Sequence, residues 1–207
     1  MSPESLITFA IASTLLALAP GPDNIFVLTQ SALFGRKSGI FITLGLCTGL
    51  LVHTSVVALG IAALFLVSQT AFTVLKLIGA SYLLYLAWNA FRAKARNMNG
   101  NAVNVPELAA LYQQGVILNL SNPKIAIFFL AFLPQFANPE ADNMAGQLFL
   151  LGIIFLNISL IVFILIASLA GLISQWLKDS KKAQVLLNRI AGLVFITLAL
   201  RLATTSR

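Results

Sequence analysis

The chain has 207 residues, 59% of them hydrophobic and 9% charged, with a net charge of +7 and a mean hydropathy of +0.94. That composition excludes an ordinary soluble domain and leaves no room for a soluble catalytic one. One cysteine, Cys47, excludes an internal disulfide or Cys-x-x-Cys redox pair, and one histidine, His53, excludes a histidine-built metal site.

Six apolar segments follow in order, at roughly 6–34, 39–67, 71–91, 112–136, 145–173 and 186–203. Each is long enough to cross ~30 Å of hydrocarbon at about 1.5 Å per residue. Ala17-Leu18-Ala19 imitates a signal-peptidase site, but the leader Met1-Ser2-Pro3-Glu4 has no basic residue and Pro20 follows the apparent cut. An uncleaved first span is therefore expected. Ala19-Pro20-Gly21-Pro22-Asp23-Asn24 interrupts this span in its middle. Proline removes an amide donor and clashes with the preceding turn. A carboxylate at that depth costs ~3 kcal/mol on insertion scales. Irregular backbone is tolerated in a bilayer only where protein or a water-filled cavity receives it, so the break is expected to line a substrate cavity.

Gly35-Arg36-Lys37-Ser38-Gly39 is a short basic turn. The second span carries Gly39, Gly45, Gly49 and Gly60, with Gly45 and Gly49 spaced for close helix packing. Trp88 and Arg92 read as an interfacial anchor at the end of the third span. A second break, Asn122-Pro123-Lys124, falls in the fourth span.

The basic residues sit at the ends of apolar runs, which fits membrane topology better than nucleic-acid binding. Arg36 and Lys37, then Arg92, Lys94 and Arg96, then Lys178, Lys181 and Lys182 fall on one side of a six-span arrangement. Glu4, Glu140 and Asp142 fall on the other. The asymmetry predicts periplasmic termini and cytoplasmic basic loops, although Arg201 and Arg207 pull the other way.

The chain also repeats itself. Pro22-Asp23-Asn24-Ile25-Phe26 has a counterpart in Pro123-Lys124-Ile125-Ala126-Ile127-Phe128, and Lys76-Leu77-Ile78-Gly79 has one in Arg189-Ile190-Ala191-Gly192. Three spans per repeat is an odd number, so the second copy must enter from the opposite side. The expected fold is an all-α integral membrane protein of six transmembrane helices, a single transporter domain over 1–207. It comprises two inverted three-helix repeats at about 6–91 and 112–203, a cytoplasmic loop at 92–111, and helices 1 and 4 broken at proline.

Asp23, His53 and Lys124 are ionisable residues near mid-span, and Asn119, Asn122 and Asn157 add neutral hydrogen-bonding groups. Pro22 and Pro123 each suit the first position of a half-helix. The amides after them would be donors at a positive dipole end, suited to a carboxylate. Carbonyls near Leu16, Leu18 and Asn119 would accept from an ammonium or cation. The candidate substrate site is therefore Pro20, Gly21, Pro22, Asp23, Asn24, Asn119, Asn122, Pro123 and Lys124. Lys124 would hold the carboxylate of a small zwitterion and Asp23 its ammonium, with Asp23 and His53 as proton-coupling candidates. Plainer roles stay open. Asp23 could only cap its half-helix, Lys124 could form a buried ion pair with Asp23, and His53 could be a neutral imidazole satisfied by one carbonyl. Lys76 and Arg189 are expected to snorkel to the interface. Enzyme motifs and metal-ligand spacings are missing, so no catalytic residue, metal or cofactor is expected.

Three stretches carry a family resemblance that spans about residues 6–203. Ala19-Pro20-Gly21-Pro22-Asp23 running on to Gly35-Arg36-Lys37-Ser38-Gly39 resembles the first-span motif of the LysE/RhtB amino-acid exporter superfamily. Gly79-Ala80-Ser81-Tyr82-Leu83-Leu84-Tyr85-Leu86-Ala87-Trp88 is similar to that family's third span. Asn119-Leu120-Ser121-Asn122-Pro123-Lys124 through Phe132-Leu133-Pro134-Gln135-Phe136 is similar to its fourth. The resemblance is to the homoserine, threonine and leucine exporter branch. It implies an exporter of amino acids or derivatives in the bacterial inner membrane, driven by proton antiport, with six spans and self-association into a homodimer. The family's proline-glycine-proline core maps onto Pro20, Gly21 and Pro22, and its asparagine-proline-lysine element onto Asn122, Pro123 and Lys124. Amide residues are allowed in the family at the position of Asp23, and His53 matches no family motif.

Amino-acid efflux by alternating access around the two breaks is the leading expectation, with protons and membrane lipid as the other partners and no nucleic acid. Two alternatives are a cation or heavy-metal exporter and a non-transporting assembly subunit. Scarce Cys, His and acidic residues at mid-membrane weigh against the first, and costly buried breaks weigh against the second.

Overall fold

A computed structural model describes residues 1–61, 69–93, 106–138 and 143–204. Among these residues the only regular structure is helical. Lys94, Arg96, Glu140, Asp142, Arg207 and the end of the second expected span lie outside the described residues.

Helix α1 (Pro3–Leu18) starts with Ser2, whose hydroxyl accepts from the Ser5 amide at 3.2 Å. It stops where Pro20 and Pro22 withhold the next amides. Helix α2 (Pro22–Phe34) resumes with Pro22 in its first turn and bends away from α1 by 55°. Gly35, at φ 86°, then takes a left-handed turn that favours glycine and leads into α3 (Arg36–Val56). A π-helical turn, Val57–Ile61, extends α3. Helix α4 (Gln69–Arg92) covers the third apolar segment, and Arg92 lies 4.2 Å over the Trp88 ring.

The second half repeats the break. Helix α5 (Leu108–Leu120) ends at Ser121, and α6 (Pro123–Ile127) restarts with Pro123 in its first turn. It continues through a π-helical turn, Phe128–Phe132, and a 3₁₀ turn, Leu133–Phe136. The segments Leu108–Leu120 and Pro123–Phe136 meet at 49°. Helices α7 (Met144–Asp179) and α8 (Lys181–Thr204) complete the chain.

Among the described residues, Arg36–Gly60, Met144–Ile173 and Lys181–Thr204 are long and apolar enough to cross a membrane, and up to five spans result if each bent pair counts as one. Ile7, Ile11, Leu15, Leu18, Leu172 and Leu193 are exposed on the outside while Asp23, Asn119, Asn122 and Lys124 are buried. That is the inside-out distribution of a protein whose solvent is lipid.

Helix α3 packs along α5 and α7, α4 along α8, and α1 and α2 along α7. The α3–α5 contact is close because neither helix has a side chain at the crossing. A Cβ on Gly45 would strike the Tyr112 carbonyl, and one on Gly115 the Ile42 carbonyl. One turn further along α3, a Cβ on Gly49 would lie 2.6 Å from Asn119 Oδ1. The small-residue spacing of the second span therefore sets how near Asn119 comes to α3. On the other side of the breaks lies an aromatic core. The Phe128 ring sits 4.9 Å from Phe155 and 5.0 Å from Phe132, and Phe9 sits 5.1 Å from Phe136.

Candidate polar site between the two helix breaks

The two breaks meet in the protein interior and exchange polar contacts. Asn122 Nδ2 donates to Asp23 Oδ1 at 2.9 Å, and Asn119 Nδ2 reaches Asp23 Oδ2 at 3.5 Å. In the other direction, Lys124 Nζ donates to the Ala19 carbonyl at 3.3 Å. Each break supplies one charged side chain, and the opposite break receives it. Asp23, Asn119, Asn122 and Lys124 are all at most 4% exposed.

Of the roles left open for Lys124, a direct ion pair with Asp23 is not formed, although the two charges act on each other through space. The Lys124 ammonium bonds the last carbonyl region of α1, where the negative end of the helix dipole favours a cation, and not the Asp23 carboxylate. Gly21 permits this approach: a Cβ there would lie 2.9 Å from Lys124 Nζ. Its φ of −154° is extended and unstrained, so space, not backbone conformation, is what glycine provides.

The carbonyls that accept upstream of the first break lie beside Leu16 and Leu18: Ala17 accepts from Asn24 Nδ2 at 2.6 Å and Ala19 from the Lys124 ammonium at 3.3 Å. The Asn119 carbonyl, expected to be open to an ammonium or cation, accepts from the Asn122 backbone amide at 3.0 Å. His53 Nε2 lies 3.4 Å from the same carbonyl, and its ring faces Phe129 at 5.7 Å. One carbonyl partner is the plain reading of this histidine.

The two half-helix starts are not equivalent. Gly21 has no side chain to cap α2, so the first amides of that half-helix receive no side-chain acceptor. At α6, Asn122 Oδ1 accepts from the Lys124 amide at 3.0 Å and occupies one of the donors expected to be free. Pro22 and Pro123 themselves are exposed, and Pro20 and Gly21 are half-buried. The prolines therefore shape the site without lining it.

A cavity of about 10 Å³ lies among Asp23, Asn119, Lys124, Leu50, Phe155 and Ser159. That is room for one water molecule and for no amino acid. Asn119 Oδ1 has no hydrogen-bond partner and leaves an open acceptor in this wall. Asn157, expected near the site, instead faces outward and bonds back to the Ile153 carbonyl at 2.8 Å. Ser159 takes the inward position that sequence reasoning missed. The two residues are ~200° apart around α7, so a signal existed in the spacing. Because polar residues fall on both faces of an otherwise apolar α7, the spacing alone did not reveal which face is inside. Among the described residues no group of three His, Cys, Asp or Glu could hold a metal ion.

The family model for LysE type translocators matches residues 14–206. The chain belongs to that family. Among its relatives, the homoserine/homoserine lactone efflux protein of Salmonella typhimurium is 32% identical over 204 residues, covering 99% of this chain and 98% of the relative. The protein of the same description in Salmonella typhi is also 32% identical, with the same coverage. An uncharacterized membrane protein of Vibrio cholerae is 30% identical over 198 residues, covering 96% of each chain. No solved structure matches this LysE-type translocator. Membership makes it a translocator and places the two-break site within a transport protein.

Proposed function

We propose that this translocator exports a small amino acid or amino-acid derivative across the bacterial inner membrane, by proton antiport with alternating access about the two helix breaks. The observation that carries this reading is the crossed arrangement of Asp23 and Lys124. Two opposite charges line one cavity, yet each is held by neutral groups of the other break. Asp23 and Lys124 attract each other without touching, and a zwitterion between them would give each an opposite charge in direct contact. Its ammonium would meet Asp23 and the open Asn119 Oδ1. Its carboxylate would meet Lys124 and the uncapped start of α2. A homoserine-like solute is favoured by the efflux relatives and by the hydroxyl of Ser159 in the same wall.

With about 10 Å³ free, the arrangement corresponds to a closed state, so substrate entry requires the two halves to separate. The six-span inverted repeat is supported by packing of each first-half segment on its second-half counterpart: broken pair on broken pair, α3 on α7, and α4 on α8. In this reading the termini are periplasmic, the basic turn at Arg36 and Lys37 is cytoplasmic, and Asp23 carries the coupling proton.

The test overproduces the chain in cells loaded with homoserine by dipeptide feeding and follows internal and external amino-acid pools. Faster loss from overproducing cells than from controls, abolished by Lys124→Met at equal membrane levels, is expected. Equal retention of every amino acid with expression confirmed would refute export. Unchanged export after collapse of the pH gradient and membrane potential, with ATP maintained, would refute antiport alone.

A further inference from the structure

Arg189 is a cation without an assigned use, and its surroundings are unlike those of the central site. It lies in α8, eight residues beyond Lys181, or about 12 Å along the axis. On the same helix Leu186, Ile190 and Leu193 are exposed at 57%, 48% and 59%. In a membrane protein such a surface meets acyl chains, where an exposed guanidinium is costly without an anion.

A groove of about 320 Å³ is lined by Lys181, Lys182, Val185, Leu186 and Arg189. Among the described residues its rim holds three cations and no acid, and its floor is aliphatic. Helical side chains lean toward the N-terminus, so the Arg189 side chain leads back toward the two lysines across Val185 and Leu186. At the helix start Ser180 takes the Ala183 amide at 3.1 Å, and the preceding amides of Lys181 and Lys182 lie at the positive end of the dipole. Phosphate chemistry suits the rim, and a glycerol backbone with two acyl chains suits the floor and the apolar stripe beyond it.

We propose that this groove binds one anionic glycerophospholipid, its phosphate held by Lys181, Lys182 and Arg189 and its chains laid along Leu186, Ile190 and Leu193. The lipid gives Arg189 its counter-charge and anchors the α7–α8 corner at the membrane surface. A free phosphate would satisfy the rim but leave the aliphatic floor uncovered, which is why a lipid is the occupant. The inference rests on this surface alone and is independent of what the central site transports.

The test uses the full chain, delipidated in detergent and titrated with phosphatidylglycerol or phosphatidylcholine while bound lipids are counted by native mass spectrometry. One phosphatidylglycerol should be retained on the order of 100-fold more tightly than phosphatidylcholine. That preference should vanish in Lys181→Gln/Lys182→Gln/Arg189→Gln. It should persist in Arg36→Gln/Lys37→Gln, which removes cations from another turn. Circular dichroism and thermal melts confirm that each variant folds. If the triple variant fails to fold, Arg189→Gln alone carries the comparison, with about a 5-fold loss expected. Equal retention of the two lipids, an unaffected Arg189→Gln, or equal loss in the Arg36/Lys37 variant would overturn the proposal. So would displacement of phosphatidylglycerol by millimolar inorganic phosphate at constant ionic strength, which would assign the rim to a free anion.

Discussion

Asn122 Nδ2 and Asp23 Oδ1 are 2.9 Å apart although 99 residues separate them in the chain. This bond joins the start of one half-helix to the start of the other, and it fixes the carboxylate on the wall of the central cavity. A hydrogen bond to an ionised group contributes about 1.5–3 kcal/mol, so it is a substantial tie between the two breaks. Asp23→Asn preserves the acceptor oxygen and the shape. That variant should fold with a melting temperature within a few degrees of wild type, yet lose at least ~10-fold in export because the charge is gone. Asp23→Leu should lose both, and parallel melts and efflux assays separate the two effects.

Gly21→Ala places a methyl carbon 2.9 Å from Lys124 Nζ. The obstructed atom is the end of a flexible side chain, so folding should suffer by no more than ~1 kcal/mol. The ammonium, however, must leave the Ala19 carbonyl. Substrate affinity measured by tracer binding in proteoliposomes should change several-fold while the thermal midpoint hardly moves. A large fall in the midpoint with unchanged affinity would contradict the role given to Lys124.

Gly49→Ala and Gly60→Ala form a matched pair on and just beyond α3. A Cβ at Gly49 would lie 2.7 Å from Asn119 Cβ, whereas one at Gly60 meets nothing within 4 Å. The first should displace Asn119, cost about 1–3 kcal/mol by overpacking and depress export. The second should leave both stability and export near wild type. Efflux rates normalised to membrane-inserted protein decide between them.

Ser159→Leu adds three carbon atoms beside a cavity of about 10 Å³. The added bulk should occupy the position that substrate must take and abolish export. Ser159→Ala should retain export of alanine-like solutes and weaken that of hydroxylated ones. Asn157→Leu, on the outward face, should alter neither. Competition assays with amino acids that differ only in the hydroxyl measure the discrimination.

Much of this protein was legible in the sequence. Proline lacks an amide hydrogen wherever it stands, so Pro20, Pro22 and Pro123 interrupt their helices without tertiary help, and the observed bends of 55° and 49° fall there. Asp23, Asn119, Asn122 and Lys124 could be singled out because polar groups in an apolar span must be received by protein. The structure does bring all four together. Tertiary packing alone decided the pairing. Lys124 turns to the Ala19 carbonyl because Gly21 leaves it a path, and Asp23 turns to the two asparagines because the α3–α5 glycine contact brings Asn119 close. It also decided that Ser159 faces inward and Asn157 outward. In a helix this rich in apolar residues the few polar positions do not by themselves say which face is inside, and the neighbours it packs against determine which residues the site receives.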